Sequence, residues 1–325
     1  MIITQTPLRI SFLGGGTDFS DFYLKHGGFV VTTAIDKYVY CIVKERFDKQ
    51  IYVNYSVKEI VDKVDDLKHE LVREAMKKTG VTEGVEITFL SDIPASGSGL
   101  GSSSSVTVGV LNALYLYQGQ AVEAERLARE ACEIEIETLG KPIGVQDQYI
   151  AAYGGVRTLE FMKSGLVVAK KVEMSEQIWD DLHKHMMVFF TGKTRQAATI
   201  LAEQKNNIND KNKVLLEMAE QARQAEKLLN KGKIEELGRL LDEGWKLKKQ
   251  LASKISDPEI DAAYTAAKRA GAYGGKISGA GGGGFFTLFV PSEKRAAVRK
   301  ALAGMREMPI GLSRDGSKVI FNIRK

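Results

Sequence analysis

Residues 8–13, 29–35, 38–44, 50–55 and 85–90 show β-type patterning, with β-branched and aromatic side chains alternating or clustered over short windows, and each is predicted as a strand. A helix is predicted near 67–78. The period then changes. Val106, Val110 and Leu114 recur at helical spacing, and helices are predicted over about 103–117 and 122–139. A second strand-like stretch runs from 154 to about 172. From 194 to 251 the chain is polar and helical, with Leu215, Met218, Ala222, Ala225 and Leu229 marking one buried stripe. The end is mixed: helix 258–270, strand 276–278, a glycine-rich turn, strand 285–290, helix 292–303 and strand 318–323. No internal repeat is visible. The succession predicts an α+β chain of two domains, 1–178 and 179–325, the second with an antiparallel sheet.

Chemistry concentrates first in 94–105, which reads Pro-Ala-Ser-Gly-Ser-Gly-Leu-Gly-Ser-Ser-Ser-Ser between a predicted strand and a predicted helix. The loop therefore ends at a helix N-terminus, where backbone N–H groups lack helical partners and the peptide dipoles leave partial positive charge. Gly97, Gly99 and Gly101 let backbone approach a phosphate, and the serines from Ser102 to Ser105 offer hydroxyls. A nucleotide phosphate cradle is the reading this favours over a flexible Gly/Ser linker, because linkers rarely sit in a strand-to-helix connection opened by a rigid proline, here Pro94. Two other phosphate loops are excluded. The Gly-Lys-Thr at 192–194 has Met187 where a Walker A loop needs glycine, and the Gly-x-Gly-x-x-Gly at Gly279, Gly281 and Gly284 is followed by a strand pattern instead of a helix.

Four further stretches carry candidate chemistry. In 7–18, a strand bearing Arg9 runs into Gly14, Gly15 and Gly16 and ends on Thr17 and Asp18, which suits a polyhydroxyl ligand; the alternative is a glycine hairpin with Asp18 capping the next helix. Glu135 projects beside Leu127, Ala128, Ala131 and Ile134, on the apolar side of its helix, where a carboxylate is costly unless paired or bound to a cation. Either a buried salt bridge or Mg²⁺ shared with a loop serine and nucleotide phosphates answers that cost. Asp147 is a helix N-cap or a general base, with Arg9 the cation that keeps it ionised. The 276–285 segment, rich in glycine, brings amides near something anionic or forms a tight β-turn, and Lys193 and Arg195 stand where the second domain begins.

Composition narrows the class without changing it. The 325 residues are 44% hydrophobic and 27% charged, ordinary for a soluble globular protein. A formal charge of +5 suits an anionic small molecule and gives little support to nucleic-acid binding. Two cysteines, Cys41 and Cys132, read as buried thiols of a reducing compartment. The N-terminus lacks a signal-peptide layout and no apolar run approaches membrane-spanning length, so the cytoplasm is the default expectation. None of the four histidines has metal-ligand spacing. Oligomeric state is left open, a homodimer included.

Taken in order, the segments 7–18, 94–103 and 276–285 resemble the three signatures of the GHMP small-molecule kinases, spread over both halves of the chain. The resemblance implies a ribosomal-S5-domain-2-like α/β domain followed by a ferredoxin-like α+β domain with extra helices. It also implies ATP at Pro94, Gly97, Ser98, Gly99, Leu100, Gly101, Ser102, Ser103 and Ser104, and Mg²⁺ held by Ser103, or a neighbouring serine, with Glu135. Asp147 is then the base assisted by Arg9, and the acceptor lies among Gly15, Gly16, Thr17, Asp18, Asp147, Gly279, Gly281 and Gly282. The spacing from Glu135 through Pro142 and Gly144 to Asp147 is similar to galactokinase, but Gly15-Gly16 stands where galactokinases carry Glu-His. The Gly-Gly-Gly-Thr-Asp variant, 146–149 and 191–195 are similar to bacterial kinases of D-glycero-D-manno-heptose 7-phosphate, which act on the anomeric C1 hydroxyl. This implies that Lys193 or Arg195 meets the sugar's phosphate. A fucokinase-like or galactokinase-like sugar 1-kinase and a non-catalytic sugar sensor are the competing expectations.

Overall fold

The computed structural model describes residues 1–94, 97–193 and 197–323. Its centre is the antiparallel pair β1 (Ile2–Leu13) and β2 (Gly28–Glu45). Where two strands over 29–35 and 38–44 are expected, the backbone runs as one; the register against β1 shifts between Pro7 and Leu8, which absorbs the interruption. The first half of β2 then pairs with β6 (Val156–Phe161), itself paired with β7 (Val167–Lys171), and the second half pairs with β5 (Val85–Ser91). Beyond β5 lie β3 (Ile51–Asn54), in parallel register, and β4 (Lys58–Val61).

Side-chain alternation along β1 decides what each face of this sheet holds. Leu8, Ile10 and Phe12 turn to one face and are fully buried with Ala222, Ala225, Leu237 and Leu241 from α8 (Asn212–Asn230) and α9 (Ile234–Lys248). Arg9, lying between Leu8 and Ile10, is thereby turned to the other face. That face is covered by α2 (Glu70–Thr79), α3 (Ser102–Tyr117), α4 (Ala124–Cys132) and α5 (Gln146–Tyr153), preceded in the chain by the short α1 (Ser20–His26). Close approach of α3 depends on Gly109, where a Cβ would stand 2.8 Å from Thr6 Oγ1.

The second sheet is antiparallel, in the order β11 (Arg306–Glu307), β8 (Met186–Phe190), β10 (Phe285–Phe289), β9 (Gly274–Ile277). Around it stand α6 (Glu176–His185), α7 (Ala197–Asn206), α8, α9, α10 (Pro258–Arg269) and α11 (Arg295–Ala301). The polar stretch after 194 thus breaks into three helices, of which α8 carries the expected stripe. The chain end departs from a second unit running unbroken over 179–325: β12 (Lys318–Asn322) crosses back and pairs antiparallel with β1, covering what would be an open edge of the first sheet. No described helix is long and apolar enough to cross a membrane. Cys41 and Cys132 are both free thiols.

Candidate active site

Arg9 organises the site. Its Nε and Nη2 donate to the two oxygens of Asp147 at 2.7 and 2.5 Å, while Nη1 donates to the carbonyl of Gly99 at 2.7 Å and its backbone N–H donates to Leu100 O at 3.0 Å. One guanidinium therefore ties the carboxylate on α5 to the glycine-rich loop before α3. The fork matches a planar carboxylate in a way a lysine would not. Asp147 lies inside the first turn of α5, one residue past Gln146, and the cap position belongs to Val145. The capping reading of Asp147 is thus not the one observed.

The loop reaches this pair through left-handed backbone. Gly99 and Gly101 have φ of +71° and +78°, a region that costs an L-residue about 1–2 kcal/mol. A Cβ on Gly101 would stand 3.1 Å from Arg9 Cγ and 3.4 Å from Asp147 Oδ2. Gly101 occupies the cap of α3 and has no side-chain oxygen to offer the first turn. Leu100 is fully buried beneath the loop, and Ser98 Oγ accepts the Leu100 N–H.

Behind α3 is Glu135, fully buried in a π-helical turn, Glu133–Thr138, that widens the end of α4. Ser103 Oγ donates to its Oε2 and Gln148 Nε2 to its Oε1, both at 3.3 Å, and the hydroxyls of Ser104 and Thr107 also face it. No described cation lies within ion-pair distance of it, so the buried-salt-bridge alternative finds no partner among the described residues. Burial pushes its pKa up, while the more distant charge of Lys141 opposes the shift. Ser102 and Ser104 are buried whereas Ser103 is exposed at the helix mouth.

Asp18 closes the opposite wall. The cap of α1 is Phe19, so the carboxylate is free of that duty. Its Oδ1 accepts the Gly16 N–H at 2.8 Å and its Oδ2 accepts Gln146 Nε2 at 2.9 Å. The contact needs a bare Gly144, whose Cβ would fall 2.0 Å from Asp18 Oδ2. Burial raises the Asp18 pKa, hydrogen bonding from Gly16 resists, and the Asp147 charge adds to the rise. Arg9, Gly15, Gly16, Asp18, Asp147 and Gly279 all line one small cavity, of about 60 Å³. A larger cavity of about 300 Å³ starts at Pro94 and Ser98 and is walled by Phe190, Phe285 and Met308; it is mainly apolar and lacks the Arg9–Asp147–Asp18 set.

Several expected acceptor residues stand elsewhere. Thr17 faces inward, its hydroxyl donating to Gly14 O at 2.8 Å, because it pins the glycine turn against β2. Gly281 and Gly282 pack on Ile255, the Gly282 N–H donating to its carbonyl at 2.7 Å. Lys193 is engaged by Asp257 at 2.8 Å and by Glu259, and does not line the cavity. Arg195 lies outside the described residues. Conversely, the cavity contains Lys248, Lys276 and Gln204, to which the sequence pattern alone assigned no role. Lys248 sits at the end of the apolar face of α9, in line with Leu237, Leu241 and Gly244, a signal of the same kind as that marking Glu135.

Comparison with known proteins identifies the family. The family descriptions GHMP kinases N terminal domain and GHMP kinases C terminal match residues 66–155 and 225–307, together more than half of the chain. The chain is 33% identical over 318 residues to a D-glycero-alpha-D-manno-heptose 7-phosphate kinase of Campylobacter jejuni, covering 93% of each protein. It is 29% identical over 340 residues to the L-fucokinase/L-fucose-1-P guanylyltransferase of Bacteroides fragilis, covering 91% of this chain but only 35% of that longer protein. A solved D-glycero-D-manno-heptose 1-phosphate kinase from Bacteriodes thetaiotaomicron superposes with a TM-score of 0.83 at 27% identity, covering 100% of both chains. The chain belongs to the GHMP kinases, and it is an ATP-dependent phosphotransferase with their two-domain fold.

Proposed function

We propose that this kinase transfers the terminal phosphoryl group of ATP to the anomeric C1 hydroxyl of D-glycero-D-manno-heptose 7-phosphate. The observation that carries the reading is the shared guanidinium: Arg9 holds Asp147 and the Gly99 carbonyl at once, so the carboxylate and the phosphate loop stand at a fixed separation. The triphosphate lies along 97–104 against the N-terminal amides of α3. Asp147 accepts the C1 proton as the hydroxyl attacks, and its bidentate pairing with Arg9 fixes where the carboxylate points. Asp18, oriented by Gly16 and Gln146, holds sugar hydroxyls. Leu201 and Gln204 of α7 line the same cavity and would flank the acceptor.

Glu135 and Ser103 fit Mg²⁺. A fully buried carboxylate whose charge no described cation neutralises, beside a hydroxyl at the mouth of the phosphate helix, is a hard oxygen donor set. The ion would offset charge on the bridging phosphates. Because burial raises the Glu135 pKa above its unfolded value, the neutral acid favours the fold, and that contribution is lost as pH rises from about 4.5 through the folded value. At neutral pH the carboxylate therefore burdens the metal-free protein. Glu135→Gln is expected to raise Tm by about 2 °C or more without Mg²⁺ while lowering Mg²⁺-dependent kcat by about 100-fold; calorimetry and steady-state assays read both, and an unchanged kcat would contradict the assignment.

The relatives named for heptose phosphates and the bare Gly15 in the cavity wall support the seven-carbon acceptor. A fucokinase-like activity is the second reading, favoured by the fucokinase relative and by the ion pairing of Lys193, which removes one expected phosphate contact. Turnover with heptose 7-phosphate, unphosphorylated heptose, fucose and galactose separates them. The 7-phosphate sugar is expected to give the highest kcat/KM, by about tenfold or more, and equal turnover of unphosphorylated heptose would remove the 7-phosphate from the acceptor's definition.

A further inference from the structure

The last residue of α9 delivers a cation to the acceptor cavity that the phosphoryl transfer described above does not use. Lys248 is 5% exposed, and no described side chain or carbonyl accepts a hydrogen bond from its Nζ. A lysine this far out of water and without a hydrogen-bond acceptor among the described residues has donors to spare, which a ligand in the cavity can use. Three polar atoms of residues that line the same cavity are buried and unpaired: Ser11 Oγ, Gln146 Oε1 and Gln204 Oε1. They surround a gap. A methyl group built on Gly15 would stand 3.4 Å from Ser11 Oγ, 3.4 Å from Gln146 Nε2 and 3.9 Å from Lys248 Nζ, so the bare glycine is what leaves this space open.

We infer that Lys248 is a specificity-determining residue of the acceptor site: in the space beside Gly15 its ammonium donates to a sugar hydroxyl, neighbouring the hydroxyl held by Asp18. The inference rests on the sugar kinase reading and deepens it. A polyol offers adjacent oxygens that both give and accept hydrogen bonds, which suits a carboxylate, an ammonium and unpaired amide oxygens around one small volume. The charged groups facing Lys248 come from each packed element: Arg9 on β1, Asp18 after it, Asp147 on α5 and Lys276 on β9. Burial chiefly, with Arg9, lowers the Lys248 pKa to about 8, against the pull of Asp18 and Asp147. The donor form is therefore present below that pH and depleted above it.

Steady-state kinetics of the full chain test this with whichever sugar of the panel it phosphorylates. Lys248→Met keeps the buried stem and removes the ammonium. It is expected to raise the sugar KM by about 10- to 100-fold, to leave the ATP KM within about threefold, and to abolish the fall in kcat/KM for sugar above about pH 8 that is expected of the parent. Gly15→Ala, which fills the gap and leaves Lys248 intact, is expected to raise the sugar KM as well, and it decides the matter should Lys248→Met fail to fold. An unchanged sugar KM in either folded variant, or an alkaline limb that survives Lys248→Met, overturns the inference while leaving the kinase reading intact. A parent enzyme that prefers another sugar refutes only the heptose 7-phosphate proposal, and one that phosphorylates no sugar refutes both.

Discussion

Asp147→Asn is expected to lower kcat by about a thousandfold, within the range of 10²–10⁴ that a positioned proton acceptor contributes, while the ATP KM stays within about threefold. The reason is in the pairing. The amide keeps the size and one oxygen of the carboxylate, but it can neither take the acceptor's proton nor receive both donors from Arg9. Arg9 has only 6% of its side chain exposed and Asp147 22%, so the loss of a charged bidentate contact also costs stability, about 1–3 kcal/mol. The nucleotide should be spared because Arg9 keeps its bond to Gly99 O, and the loop before α3 keeps its course. Rapid-quench turnover and titration with an ATP analogue read the two effects separately. A variant retaining more than a tenth of parental kcat would mean that Asp147 is not the proton acceptor.

Gly99→Ala should be nearly as damaging by a different route. At φ +71° the residue is left-handed, and a Cβ there would fall 2.5 Å from the Ser278 carbonyl oxygen. The contact is reciprocal, since a Cβ on Gly279 would fall 2.7 Å from Gly99 O. Two glycine-rich loops, 180 residues apart in sequence, thus meet backbone to backbone, and any side chain must drive them apart. Backbone strain and displacement together are expected to cost about 2–3 kcal/mol of stability. Movement of the phosphate cradle by roughly an ångström should lower kcat/KM for ATP by about 100-fold. Gly80→Ala gives the control: φ there is +73° with nothing within 4 Å of the added methyl, so it is expected to cost only the conformational term of about 1 kcal/mol, with kcat unchanged. Equal ATP kinetics in parent and Gly99→Ala would show that the two loops need not touch for function.

Much of this arrangement was legible in the chain because it is local. The glycine-rich loop between a strand and a helix, and the carboxylate on the apolar side of the following helix, are patterns of short range, and both stand where the pattern implied. What stayed hidden depends on contacts between distant segments. Lys193 looked free beside Gly192 but meets Asp257, 64 residues onward. Thr17 looked like part of a ligand loop but is consumed by the turn it closes against Phe29. The return of β12 to the first sheet follows from the open edge of β1, which no periodicity reports. Lys248 is different in kind: its place on the apolar face of α9 was visible, yet a lysine at a helix end reads as solvated unless the packing of that end is known.

The most direct test of the account is a crystal structure of the enzyme with Mg²⁺, a non-hydrolysable ATP analogue and heptose 7-phosphate. It should show the terminal phosphate at the N-terminus of α3 and the sugar C1 oxygen about 2.6–3.2 Å from an Asp147 oxygen, with Arg9 still bridging to Gly99. A sugar bound with Asp147 turned away from C1, or a triphosphate lying outside 97–104, would contradict it.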